Sequence, residues 1–193
     1  MTINIVVPAA LHRWKDMMSA ENRKRMFSAA ADAVENLVRR HILRIAPAHH
    51  NSATKLGATP TGHLTKGARS TVSHATDSAA EIIIPIAGLN RAFKNLTITP
   101  KNASALTLPI ASQSYGQRVA RMRQLGWSIF RPKGKDVLMG TPQGGGDAVP
   151  LYVLKKRVEQ RQDRTLLPSD AELSTTAGRA IIGTIDRIAR GAA

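Results

Sequence analysis

The sequence predicts an α+β fold: a long N-terminal helix and a C-terminal helix packed on a curved, mainly antiparallel β-sheet with long loops. Three observations predict it. Apolar residues recur at helical spacing over 19–46 and again over 169–190, and short β-type runs bounded by Gly, Pro and Asn lie between them. At 193 residues the chain can bury a core without disulfides or a structural metal, and a single domain over 1–193 is expected.

The elements follow in order. Ile3, Ile5 and Val7 alternate with the period of a short strand, which Pro8 ends. Met26, Ala30, Ala33, Val34, Leu37, Val38, Ile42 and Ile45 then share one face of a long helix that Pro47 stops. Its other face carries Arg39, Arg40 and Arg44, a solvated face or a binding stripe. Over 47–78 small and polar residues displace the apolar pattern, which predicts a long mobile loop whose later part, 67–76, can pair as a strand. Strands are expected at 80–86, 106–110, 127–131, 137–140 and 151–160. The third and fourth form a hairpin across Pro132 to Asp136, where Gly134 permits a tight turn. A helix over 115–125 would be capped by Ser114 and ended by Gly126. Residues 140–150 read as a Gly-rich loop. Ser169 and Glu172 match the capping box that opens the 169–190 helix, whose stripe is Leu173, Ala177, Ala180, Ile181, Ile185 and Ile188.

Composition excludes several function classes. The absence of Cys removes disulfides, thiolate nucleophiles and Cys-based zinc sites. No apolar run approaches the roughly 20 residues of a bilayer span, and no charged segment precedes the first apolar run, so neither membrane insertion nor an export signal is expected. Trp14, Phe27, Phe130 and Tyr152 fall at expected core positions, which leaves little for a single-strand stacking platform.

The charge of +15 draws the chain to polyanions and acidic protein surfaces, and it is spread along the sequence rather than held in a tail. The candidate DNA-facing or subunit-interface cations are Arg39, Arg40, Arg44, Lys155, Lys156 and Arg157. The candidate interface loops carry His49, His50, Lys66, Arg69, Gly144 and Gly145.

Patterns that suggest chemistry do not complete themselves. Gly140 to Gly146 reads GTPQGGG, but no Gly-Lys-Ser/Thr follows to hold phosphate and magnesium, so a flexible connector is expected. His49, His50, His63 and His74 lack helical metal-ligand spacing and a nearby acidic partner. His12 with Asp16, or His41 on the long helix, has no accompanying nucleophile motif. No enzyme, cofactor or metal is expected.

Four stretches carry a resemblance: TGHLTKGARSTV at 61–72, NRAFKNLTITPKNASALTLPI at 90–110, SYGQRVARMRQLGWSIFRPKGKDVLMG at 114–140 and PLYVLKKRVEQRQDRTLLPSDAEL at 150–173. In this order they resemble the tail-completion, or virion-morphogenesis, proteins of tailed bacteriophages, in the Mu-type branch, over residues 15–190. The resemblance implies a structural protein without catalytic residues, assembled in the host cytoplasm into a homo-oligomeric ring, a hexamer by resemblance. The ring would sit at the head-to-tail joint of the virion, beside other neck or tail proteins, and let duplex DNA pass. The 47–78 segment and the GTPQGGGDAVP stretch depart from shorter members. A basic nucleic-acid-binding or packaging accessory is the other reading.

Overall fold

Ser19 opens the long helix: its backbone is extended and its hydroxyl accepts the Asn22 N–H at 3.2 Å, satisfying a donor that the first turn leaves unpaired. The computed structural model describes residues 2–4, 19–86 and 89–190; the expected positions of Ile5, Val7, His12, Trp14 and Asp16 lie outside the described residues. In chain order the elements are β1 (Thr2–Asn4), α1 (Ala20–Ile45), α2 (Asn51–Lys55), α3 (His63–Arg69), β2 (Val72–Ala75), β3 (Ala80–Ile83), β4 (Leu96–Ile98), β5 (Leu106–Pro109), α4 (Val119–Gln124), β6 (Trp127–Phe130), β7 (Val137–Pro142), β8 (Val149–Lys155), β9 (Val158–Gln160) and α5 (Asp170–Ala189). The chain is α+β, its strand pairs are antiparallel, and it divides into two compact units.

The first unit comprises 1–47, 62–94 and 163–193. Its sheet has the order β1-β3-β2. The apolar stripe of α1 (Met26, Phe27, Ala30, Val34, Val38 and Ile42) is buried, joined by Ala31, and α5 packs along it through Leu173, Ala177, Ile181 and Ile185. Ala80 and Ile82 of β3 belong to the same core. Removing each large side chain from water contributes roughly 1.5 to 3 kcal/mol, so the two stripes account for the pairing of the helices. Thr184 is buried in the α5 stripe without leaving a polar group unpaired, because its hydroxyl donates to the Ala180 carbonyl at 2.9 Å.

The 47–78 segment, expected as a long loop, is instead largely structured: a 3-10 turn at Ala48–His50, then α2, α3 and β2. In α3 the buried residues are Leu64, Gly67 and Ala68. They follow the i, i+3, i+4 period of a helix, but two are too small to register as an apolar face. Their size serves close approach, since a Cβ at Gly67 would collide with the Ile86 side chain.

The second unit comprises 48–61 and 95–162. It holds a four-stranded sheet of order β5-β8-β7-β6 and a two-stranded sheet of β4 and β9. The 151–160 run, expected as one strand, is shared between β8 and β9. Helix α4 is shorter than the expected 115–125, because Ser114 does not cap it; the Ser114 hydroxyl is buried and donates to the Leu151 carbonyl at 2.6 Å. Met122 of α4 packs with Leu151 and Tyr152, flanked by Trp127, Ile129 and Leu138. The expected 140–150 loop is also corrected: β7 runs to Pro142 and β8 starts at Val149, leaving 143–148 as the connection. Gly140 is a strand residue whose Cβ position is filled by Leu151 and Trp127.

Candidate functional site

The four-stranded sheet of the second unit has two unlike faces. Paired residues across antiparallel strands share a face, and successive residues alternate. Leu138 opposite Tyr152, and Ile129 opposite Gly140, lie on the face that α4 covers. The other face carries Leu106 beside Lys155, Leu108 beside Val153, Val153 beside Val137, and Phe130 beside Met139. None of these apolar residues joins either core. Phe130, expected in the core, is 46% exposed because alternation with Ile129 sends it to this face.

The sheet also has two unlike ends. Pairing of Leu106 with Lys155, Val137 with Val153, and Phe130 with Met139 puts the start of β5, the close of β8, the start of β7 and the close of β6 at one end. That end carries Lys155, Lys156 and Arg157 after β8, Arg131, Lys133 and Lys135 in the β6–β7 hairpin, and Lys101 in the segment entering β5, all exposed. The hairpin is held in shape by Arg131, which donates to the Lys135 carbonyl at 2.8 Å and to the Asp136 carboxylate at 2.8 Å. Arg157 lies 3.6 Å from Glu159. The opposite end holds the 143–148 connection, in which Gly144 and Gly145 are exposed and no lysine or arginine occurs. The whole unit carries twelve Lys and Arg against three Asp and Glu, a net +9, leaving +6 for the larger first unit.

The sequence-predicted residues therefore separate. Lys155, Lys156 and Arg157 fall in the basic sheet end, together with four cations that periodicity alone did not select. Arg39, Arg40 and Arg44 belong to the first unit and differ among themselves. Arg39 pairs with Glu35 and donates to the Thr71 carbonyl at 2.8 Å, with its Nε buried, so it braces α1 against the start of β2. Arg40 is exposed and donates to the Asn36 carbonyl of its own helix at 3.3 Å. Arg44 contacts His41 Nδ1 at 3.2 Å, while His41 Nε2 meets the Thr165 carbonyl at 2.9 Å. A carbonyl only accepts and a guanidinium only donates, so His41 Nε2 is the donor to Thr165 and Nδ1 the acceptor from Arg44. Lys66 and Arg69 are exposed on α3, His49 is half-buried in the Ala48–His50 turn, and the side chain of His50 lies outside the described residues.

Among the described residues two titratable groups depart from ordinary behaviour, and both hold the fold. Burial pushes the Tyr152 hydroxyl up. Hydrogen bonds from the Ser169 N–H and hydroxyl hold the Glu172 carboxyl down, helped by the nearby His41 and Arg44. Among the described residues no three His, Asp or Glu side chains gather as a metal site, and no helix is long and apolar enough to cross a membrane. Comparison of the chain with protein-family models, with curated protein sequences and with solved structures gives no match.

Proposed function

We propose that this chain is a structural subunit of a virion, of the tail-completion type that its ordered phrases resemble, and that it works by self-association into a ring at the joint of head and tail. The observation that carries the reading is the second face of the four-stranded sheet, where the exposed Phe130 and the half-buried Leu106, Leu108, Val137, Met139 and Val153 line one side outside both cores. Apolar area gathered on one face marks a surface used for association. In a closed ring this face meets a different surface of the next copy, so the basic ends of neighbouring sheets need not be opposed.

The measurement is the mass of the purified chain by sedimentation. A discrete oligomer is expected, and Val137→Asp with Val153→Asp should shift it toward monomer while leaving the circular dichroism spectrum unchanged. A chain that stays monomeric up to its solubility limit would overturn the reading, as would normal, infectious particles assembled without it.

A further inference from the structure

We infer that the basic end of the four-stranded sheet is a binding site for the phosphate backbone of duplex DNA, read without regard to sequence. The inference deepens the proposed role, since it names what the ring subunit would touch, but it stands on separate residues and a separate measurement. Lys133, Lys135, Lys155, Lys156 and Arg157 come from two stretches about twenty positions apart in the sequence and are brought together by the antiparallel register of β7 with β8. Lys101 joins them from the segment that enters β5 beside Lys155.

The chemistry favours a uniform polyanion. Asp136 and Glu159 are the acidic residues flanking this end, and each is engaged by an arginine, Arg131 and Arg157 respectively. The lysines are left as exposed, flexible point charges, which suits a regular row of phosphates better than a few fixed carboxylates. Four strands at about 4.8 Å spacing span about 14 Å, a length over which duplex DNA presents on the order of eight phosphate charges. A single strand is disfavoured because Phe130 is the lone aromatic residue of the adjoining sheet face, so successive bases have no stacking platform.

The test is binding of the full chain to a mixed-sequence duplex, followed by fluorescence anisotropy between about 50 and 200 mM salt. The logarithm of affinity should fall linearly with the logarithm of salt. Lys133→Gln with Lys135→Gln should reduce that slope by about 2, at roughly 0.9 for each phosphate that is no longer neutralised. Lys155→Gln with Lys156→Gln should do the same. Lys66→Gln with Arg69→Gln removes equal charge from the first unit and should leave the slope as it was. The inference is overturned if the control pair weakens binding as much as the sheet-end pairs, if a single strand or polyglutamate competes as well as duplex, or if nothing binds at the lowest salt. The oligomer mass is read on the same samples: lost DNA binding with an intact oligomer sinks this inference alone, and a monomer that still binds DNA sinks the ring alone.

Discussion

Tyr152 donates its hydroxyl to the carbonyl oxygen of Gln117 at 3.0 Å from a side chain that is 1% exposed. This bond ties β8 to the segment leading into α4, and it closes the polar end of an otherwise apolar contact with Met122 and Leu138. Tyr152→Phe keeps the ring and removes the donor, leaving a carbonyl short of its partner. The expected loss is about 1 kcal/mol, read as a lower denaturant midpoint with an unchanged slope.

The same residue sets an alkaline limit. Burial raises its folded pKa above the ordinary 10.0, so the stability it contributes is fully present below that value and is lost as pH rises through the raised one. Unfolding curves of the parent should shift to lower denaturant as pH climbs above the ordinary value, and this dependence should be weaker in Tyr152→Phe. An equal alkaline loss in both proteins would contradict the assignment.

Ser169 and Glu172 fail together at low pH. The carboxylate accepts the Ser169 N–H at 2.9 Å and its hydroxyl at 2.8 Å, which lowers its folded pKa below the ordinary 4.5. Its contribution is present above the ordinary value and is lost as pH falls through the lowered one. Glu172→Gln should flatten the acid limb of the stability profile over that window. At neutral pH, Ser169→Ala should cost about 1 kcal/mol by leaving the first turn of α5 uncapped.

Gly140 is held in β7 by its lack of a side chain. A Cβ there would collide with the fully buried Leu151 and lie 3.1 Å from the Trp127 ring. Leu151 cannot withdraw easily, because it is fully buried against Met122 and Tyr152 in the core of this unit. Gly140→Ala should destabilise the second unit by about 1 to 3 kcal/mol, checked by thermal unfolding beside Gly144→Ala. The latter, with open space around its Cβ position, should change little.

What the sequence revealed was what short range decides. The Ser169–Glu172 box, the α1 and α5 stripes and the Gly134 hairpin each need only a few neighbouring residues, and each is in place. Helix α3 was hidden because Gly67 and Ala68 carry a helical period without apolar bulk. Phe130 was misplaced because hydrophobicity does not say which sheet face finds a partner. The candidate site was half legible. Lys155 to Arg157 announce themselves as a run, whereas Lys133 and Lys135 join them only through the β7–β8 register, which no local pattern encodes. The bridge made by Arg39 was hidden for the same reason, since its partner at Thr71 is 32 residues away.

That bridge yields a sharp contrast between neighbours on α1. Arg39 bridges Glu35 on its own helix and the carbonyl of the fully buried Thr71, just before β2. Arg39→Ala removes a charged donor from a buried acceptor and leaves the Glu35 carboxylate, 17% exposed, without its cation. The cost should be about 1 to 3 kcal/mol. Both bonds come from the single Nη2 nitrogen, so Arg39→Lys, whose ammonium carries three donors, should recover much of it. Arg40→Ala, one residue on and turned to solvent, should stay within about 0.5 kcal/mol of the parent. Denaturant unfolding of the three variants separates the roles: an Arg40→Ala loss matching that of Arg39→Ala would show that the stripe acts through its charge and not through the bridge to Thr71.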